Sequence, residues 1–374
     1  MYRFKNIDDY TPGYFERIGT LRGKRWYSKN DRNGLFKPRR FEFGDRKVFA
    51  ANHYGEFMGY LLAQAIDVDA CEVELVHLSK FYENYFKFKN NGTPIPRDGA
   101  ISYKEGPRDE TIIPGNVLIS KYNKVNEMEL LHNNRNIDSL NDEIPTIMHT
   151  VKAATIDFYT KRGCSPEVIK EKVDRNIADI VRMICYDCSF GNNDRHDENW
   201  SMVVSGEEMK IYPLYDNERV LGLCENINIV RYILSNPSVL EAYNMYGLHS
   251  RMSLPGGKRA TYQEVLVYML ENYPEVTKKT LDKVTTRVKP SIVKNKLQQL
   301  EGLPEEYIEL SSRIYDQRYS FIEKALSRSK TGQSIKPCNN TDRTVLLKYS
   351  RNRGVSKIPP MFGRTGTTDK LEGR

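Results

Sequence analysis

Phe190-Gly191-Asn192-Asn193-Asp194-Arg195-His196-Asp197-Glu198-Asn199-Trp200, followed by Pro213-Leu214-Tyr215-Asp216-Asn217, is the stretch on which the reading of this chain turns. Asp194 stands five residues before Asn199, and a second carboxylate, Asp216, follows beyond a hairpin pattern. Phosphoryl transfer asks for such a set: one carboxylate to orient a hydroxyl, and an amide oxygen with a second carboxylate to hold magnesium. An isolated D-x-x-x-x-N is also an ordinary polar loop, so the flanking residues have to decide.

Upstream, Pro166 to Phe190 has the period of a long helix, and Gly191-Asn192-Asn193 is a turn-forming set that exposes the residues after it. Downstream, 200–204 and 210–215 flank Ser205-Gly206-Glu207-Glu208 and predict a short hairpin. Asn199 precedes one strand and Asp216 follows the other, so the hairpin returns both to its open end, facing Asp194. His196 has no clustered His or Cys partners and no H-E-x-x-H, so its expected role is structural support of the loop rather than chemistry. Cys185 and Cys188 fall on the apolar stripe Ile177, Ile180, Val181, Ile184 of the long helix; the six cysteines offer no second C-x-x-C, and the pair reads as core.

The N-terminal hundred residues read as mainly β with one helix. Lys37, preceded by Leu35-Phe36, is a strand lysine able to aim its ammonium at nucleotide phosphates. Such a lysine needs an anionic partner; Glu56 is preferred, early in a helix that Asn52 is expected to cap and that runs to about Ile66, and Glu42 is the competitor. Lys47 to Ala50 and Glu72 to Leu78 are further strand candidates. Gly19-Thr20-Leu21-Arg22-Gly23-Lys24-Arg25-Trp26 offers two glycines, a hydroxyl and three cations ahead of a strand, suited to covering phosphates. It matches neither G-x-x-x-x-G-K-[ST] nor G-x-G-x-x-G, which removes P-loop and dinucleotide-binding readings. No G-x-S-x-G is present for hydrolase chemistry of that type. A Gly/Pro-rich loop from Asn90 to about Pro114 marks the expected boundary between lobes, after which the pattern turns helical: about 146–159, 166–190, 261–271 and several helices to Leu326.

At 374 residues the chain is long enough for a two-lobed enzyme. The net charge of +8 resides wholly in residues 325–374, which hold 11 Lys/Arg against 3 Asp/Glu; residues 1–324 hold 46 of each sign. A balanced core carries no nucleic-acid footprint, and the basic tail, 328–374, has the composition of a disordered segment. A basic arm for nucleic acid or anionic membrane is the other reading of that tail. No apolar run spans a membrane and Met1 to Asp9 lacks a secretion signal, so a cytoplasmic protein is expected, with secretion without a cleaved signal left open.

Taken in order, these segments resemble the HipA-like protein kinases, over about Ile18 to Leu270. Gly191–Trp200 is similar to the family's D-R-H-x-x-N-[WF] loop, and Pro213-Leu214-Tyr215-Asp216 to its P-[IL]-Y-D segment. Gly34-Leu35-Phe36-Lys37-Pro38 resembles the nucleotide-lysine strand, and Gly55-Glu56 the start of the αC-like helix. Ile101-Ser102 and Ile113-Pro114-Gly115-Asn116 resemble the hinge region and the G-N beyond it. The resemblance implies an α+β, two-lobed kinase fold, with a small β-rich lobe in residues 1–100 and a larger helical lobe in 101–327. It also implies an ATP- and Mg²⁺-dependent Ser/Thr kinase that phosphorylates itself. Asp194 would be the base, with Lys37 and Glu56 as the phosphate-positioning pair and Asn199 and Asp216 on the metal. Gly19, Thr20, Arg22, Gly23, Lys24, Ile101 and Ser102 would line the nucleotide. A protein substrate is implied, and an antitoxin or regulator protein is among the expected partners. Because the phosphate loop begins near residue 19, the likeness is to short stand-alone members such as the CtkA-like and HipT-like ones. Glu218-Arg219 departs from the small residues expected after Asp216-Asn217. A phosphoinositide-type lipid kinase and a nucleotide-binding regulator without transfer activity are the alternatives; the second would lack a catalytic or metal residue, and none is missing.

Overall fold

The computed structural model describes residues 1–12, 24–39, 50–78, 98–104, 110–122, 142–248 and 251–335. The expectations placed on Gly19, Thr20, Arg22, Gly23, Glu42, 47–49, most of the Gly/Pro loop and 336–374 lie outside them.

The N-terminal part is a six-stranded sheet of β1 (Lys5–Asn6), β2 (Thr11–Pro12), β3 (Arg25–Lys29), β4 (Arg32–Pro38), β5 (Val73–His77) and β6 (Asp98–Tyr103), in the order β1-β5-β6-β4-β3-β2. Only β1–β5 is parallel among its pairs. Asn30 and Asp31 both take positive φ (51° and 61°), the two-residue hairpin turn that matches the twist of β3 and β4. Pairing β4 with β6 sets the two faces of the sheet: Lys37 stands opposite Ala100 and Leu35 opposite Ser102, while Phe36 stands opposite Ile101. Phe36, Ile101, Tyr27, Val76 and Tyr103 bury one face as a small core of their own. Against the other lies helix α1 (Asn52–Ala65), whose Met58 and Leu62 share a cluster with Leu75. The strand Asp98–Tyr103 runs through position 100/101, so the sheet claims three residues assigned by sequence to the second lobe.

The rest is helical. After β7 (Thr111–Pro114) come α2 (Gly115–Tyr122), α3 (Ile144–Thr160) and α4 (Pro166–Phe190). Ser165 caps α4, accepting from Val168 N, with Pro166 at the first helical position where its missing N–H costs nothing. Its stripe of Ile180, Val181, Ile184, Cys185 and Cys188 is fully buried, and burial pushes the Cys185 thiol up to about 12: these cysteines are core. β8 (Ser201–Ser205) and β9 (Glu208–Ile211) turn through Gly206-Glu207, and β7 adds a third strand. Further helices follow from Ile227 onward, ending in Glu305–Lys330, which carries helix into the segment read from sequence as tail. Arg318 on that last helix is completely buried, with no carboxylate paired to it among the described residues. Its guanidinium donates to the carbonyls of Cys188, Asn244 and Leu248 and to Asn244 Oδ1, and packs over the Tyr262 ring at 4.0 Å. It thereby locks the end of α4 to the turn 243–248.

Candidate active site

Between sheet and helices, Lys37 Nζ donates to Glu56 Oε1 and, at 2.8 Å, to Asp216 Oδ1. The lysine is 5% exposed and Glu56 1%. Burial would by itself lower the ammonium's pKa; the charges of Asp216 and Glu56 outweigh it and hold Lys37 protonated well above its usual range. The same exchange acts on Asp216: burial opposes ionisation, but Lys37, then Lys24, overcome it and keep the carboxyl far below the carboxylate range. Lys24 is the one expected phosphate-loop residue of the stretch 19–24 among the described residues. Asp216 itself has φ 56°, a left-handed conformation that Asp adopts more readily than most non-glycine residues. Here Asn217 N donates to Glu56 Oε2 at 3.0 Å, so one glutamate clamps both the lysine and the backbone beside Asp216.

α1 approaches this close because residue 55 is glycine: a Cβ there would lie 2.2 Å from the Glu218 carbonyl oxygen. Asn52 does not cap the helix. Ala51 is the N-cap, and the Asn52 amide, now the first helical residue, donates instead to Glu218 Oε2 (3.3 Å) and Pro38 O (3.4 Å), joining helix, sheet and the Asp216 segment.

The loop after α4 is organised by Arg195, which is 1% exposed. It meets Asp187 on α4 through Nε (3.1 Å) and Nη2 (3.2 Å). Nη1 binds the carbonyls of Asn199 (2.8 Å) and Tyr215 (2.7 Å), and Nη2 also binds Asn217 Oδ1 at 2.6 Å. One guanidinium therefore ties together the two ends of the hairpin that carry Asn199 and Asp216. Burial pushes the Asp187 carboxyl up, and the Arg195 charge beside it pulls the other way. Sequence reading missed this residue; the available signal was an Asp on the buried face of a helix, which demands a buried cation. His196 contributes less: its Nδ1 accepts from Glu198 N at 3.2 Å, within the turn itself. Gly115 N donates to Trp200 O and Asn116 N to Asp197 O, both 2.9 Å, and a Cβ on Gly115 would sit 2.3 Å from the buried Trp200 ring, which explains the Gly-Asn read from sequence.

Asn199 Nδ2 donates to Asp194 O at 2.7 Å, which leaves its Oδ1 as the side-chain atom for a cation. Asp216, Glu56 and Glu218 have carboxylate oxygens within 4.8 Å of one another. Hard oxygen donors of this kind fit magnesium: Glu56 has both oxygens engaged by Lys37 and Asn217, whereas Asp216 gives only Oδ1 to Lys37 and Asn199 keeps its Oδ1. On the sheet, Ala100 and Ser102 share the Lys37 face and present small side chains there, whereas the Ile101 side chain belongs to the opposite core, leaving it only backbone for a ligand on the Lys37 side.

Asp194 faces two arginines. Arg219 Nε lies 3.1 Å from Oδ2 and Arg251 Nη1 3.4 Å from Oδ1. The first is an ion pair without the alignment of a hydrogen bond. Arg219 is one of the two residues, with Glu218, that depart from the expected small-residue pattern.

A crystal structure of the Helicobacter pylori proinflammatory kinase CtkA aligns with 89% of this chain and 100% of its own, at 15% identity and a TM-score of 0.66. The fold is that of a CtkA-like kinase. Weaker likenesses to solved structures include Shewanella oneidensis HipA, in a complex with HipB and operator DNA (12% identity, 87% of this chain, 68% of that one, TM-score 0.46). Another is hydra Fam20 (13%, 87% and 85%, TM-score 0.41). No protein-family model and no curated protein sequence matches the chain. In this chain Lys37 lies on the sheet and Asp194 on the loop that follows α4, and Asp216 contacts Lys37. Among the described residues no helix is long and apolar enough to cross a membrane.

Proposed function

We propose that the protein is an ATP-dependent kinase that transfers a phosphoryl group to a Ser or Thr hydroxyl of a protein, itself included. The observation that carries this reading is the Lys37–Glu56–Asp216 cluster, buried at Lys37 and Glu56 and part-open at Asp216, lying beside the Asp194–Asn199 loop, both braced by Arg195. Lys37, fixed and charged, orients nucleotide phosphates, while Ala100 and Ser102 leave room on the same sheet face for the base. Asp194 takes up the proton of the incoming hydroxyl and aligns its oxygen for attack. Asn199 and Asp216 are the side chains that would hold magnesium, which when bound supplies neutralisation of phosphate charge. Arg195 sets the spacing between these groups without touching substrate.

Label transfer from γ-labelled ATP to a generic basic protein, to anionic lipid vesicles and to the chain itself tests the reading. Asp194→Asn and Asp216→Asn should each lower transfer by at least about 100-fold with the fold retained. Wild-type incorporation by both variants would overturn it, and incorporation into lipid alone would move the activity to lipid kinases.

A further inference from the structure

We infer that Arg219 and Arg251 select the acceptor: the hydroxyl phosphorylated belongs to a peptide carrying a carboxylate or phosphate one or two residues away. This deepens the kinase reading and rests on it. Among the described residues the cations are divided: Lys37, Lys24 and Arg195 act on Asp216, while Arg219 and Arg251 lie against Asp194. The two guanidiniums hold different oxygens of that one carboxylate and keep part of their surface open, at 31% and 39% exposure of the side chain. Arg251 has one further carboxylate, Asp142, at 3.8 Å. Its place is fixed, because Ser253 N donates to Asp142 O at 2.8 Å and Glu143 bridges to Ser253. Arg219 is fixed by its position three residues after Asp216, where Asn217 is bound by Glu56 and Arg195.

A hydroxyl that comes to Asp194 shares a carboxylate that already lies against two arginines, one ion-paired at Oδ2 and one bonded at Oδ1. An anionic group on the same peptide gives these guanidiniums a further partner at their open face, which a neutral peptide does not supply and a basic peptide opposes. The guanidiniums lie one contact beyond the Asp194 oxygens, so the anion must fall within roughly 7 Å of the hydroxyl, the reach of one or two residues of extended chain. In the transfer the acceptor oxygen forms the bond to the γ-phosphorus, the bond from the β,γ-bridging oxygen breaks with ADP leaving, and the hydroxyl proton passes to Asp194.

The test uses the full chain and short single-serine peptides with Glu, phosphoserine, Gln or Lys two positions to either side. The Glu and phosphoserine peptides should exceed the Gln peptide by about tenfold or more in kcat/KM, and Lys should be poorest. Calorimetry with Ala-for-Ser versions, without nucleotide or metal, should show the same order in Kd. Arg251→Gln and Arg219→Gln should flatten the preference, and Arg251→Glu should turn it toward Lys peptides. ATP-dependent transfer with equal kcat/KM for Glu and Gln peptides overturns the inference and leaves the kinase reading standing. Variants that accelerate all peptides alike, or that weaken ATP binding and not peptide binding, also overturn it. Transfer to no peptide and no protein, with no ATP turnover, overturns both.

Discussion

Replacing Arg195 by Met removes the bracket on which the geometry of the site depends. The guanidinium is buried and makes five contacts: two to the Asp187 carboxylate and three to Asn199 O, Tyr215 O and Asn217 Oδ1. Breaking a buried ion pair by deleting one partner costs about 3–5 kcal/mol, and the orphaned carbonyls add about 1–3 kcal/mol each where water cannot reach them. These terms overlap, and Asp187, already pushed toward protonation by burial, can escape part of the cost by binding a proton. A loss of about 4 kcal/mol is expected, a large part of the 5–15 kcal/mol typical of a folded domain. Trp200 is buried next to the loop, so in a Trp26→Phe background its fluorescence reports unfolding of this region in urea. The double variant Asp187→Leu/Arg195→Met should recover at least half of the loss, because it leaves no unpaired charge. A single variant within about 1 kcal/mol of its background, or a double variant worse than the sum of the singles, would refute the reasoning.

Other perturbations separate the parts. Lys37→Met should cut transfer by about 100-fold or more in label-transfer assays and, by leaving Glu56 and Asp216 to repel each other, lower the melting temperature. Gly55→Ala forces α1 away from the Glu218 backbone and should weaken nucleotide binding as measured by calorimetry, without exposing the core to a hydrophobic dye. Burial raises the Asp142 carboxyl to about 6, so the folded state keeps a proton that the unfolded chain releases near pH 4. This group therefore contributes stability that falls as pH rises from about 4 to 6, by at most about 3 kcal/mol, and Asp142→Asn should reduce that slope in urea titrations. Asp216 has the opposite sign: its depressed pKa contributes stability that is complete above the usual carboxylate range and is lost in strong acid, so Asp216→Asn should flatten the acid limb of the same titration.

Local pattern carried most of the architecture. The period of Pro166–Phe190, the Gly206 turn and the apolar pair Leu35-Phe36 before Lys37 are properties of short segments, and each segment forms the element its residues favour. The Lys37–Glu56 pairing was reachable because strand, helix and charge each had a local signature. Long-range electrostatics were not. Arg195 and Asp187 are eight residues apart, yet their pairing depends on α4 ending where it does, and Asp194 meets Arg219 and Arg251 only after three loops converge. Asn52 illustrates the competition: in a peptide its amide would cap the helix, but Glu218 and Pro38 offer it partners that local reasoning cannot see. Ile101 shows a matter of phase, since a strand gives alternate residues to opposite faces and only the register with β4 says which face holds Lys37.

The most direct measurement is intact-mass and peptide mass spectrometry of the full chain after incubation with ATP and Mg²⁺, alone and with a cell extract, beside the Asp194→Asn variant. The wild type should gain phosphoryl groups on Ser or Thr, on itself or on extract proteins, and the variant and a chelator-treated control should gain none. Unmodified wild-type chain and extract, or equal modification by Asp194→Asn, would contradict the assignment of this cleft to phosphoryl transfer.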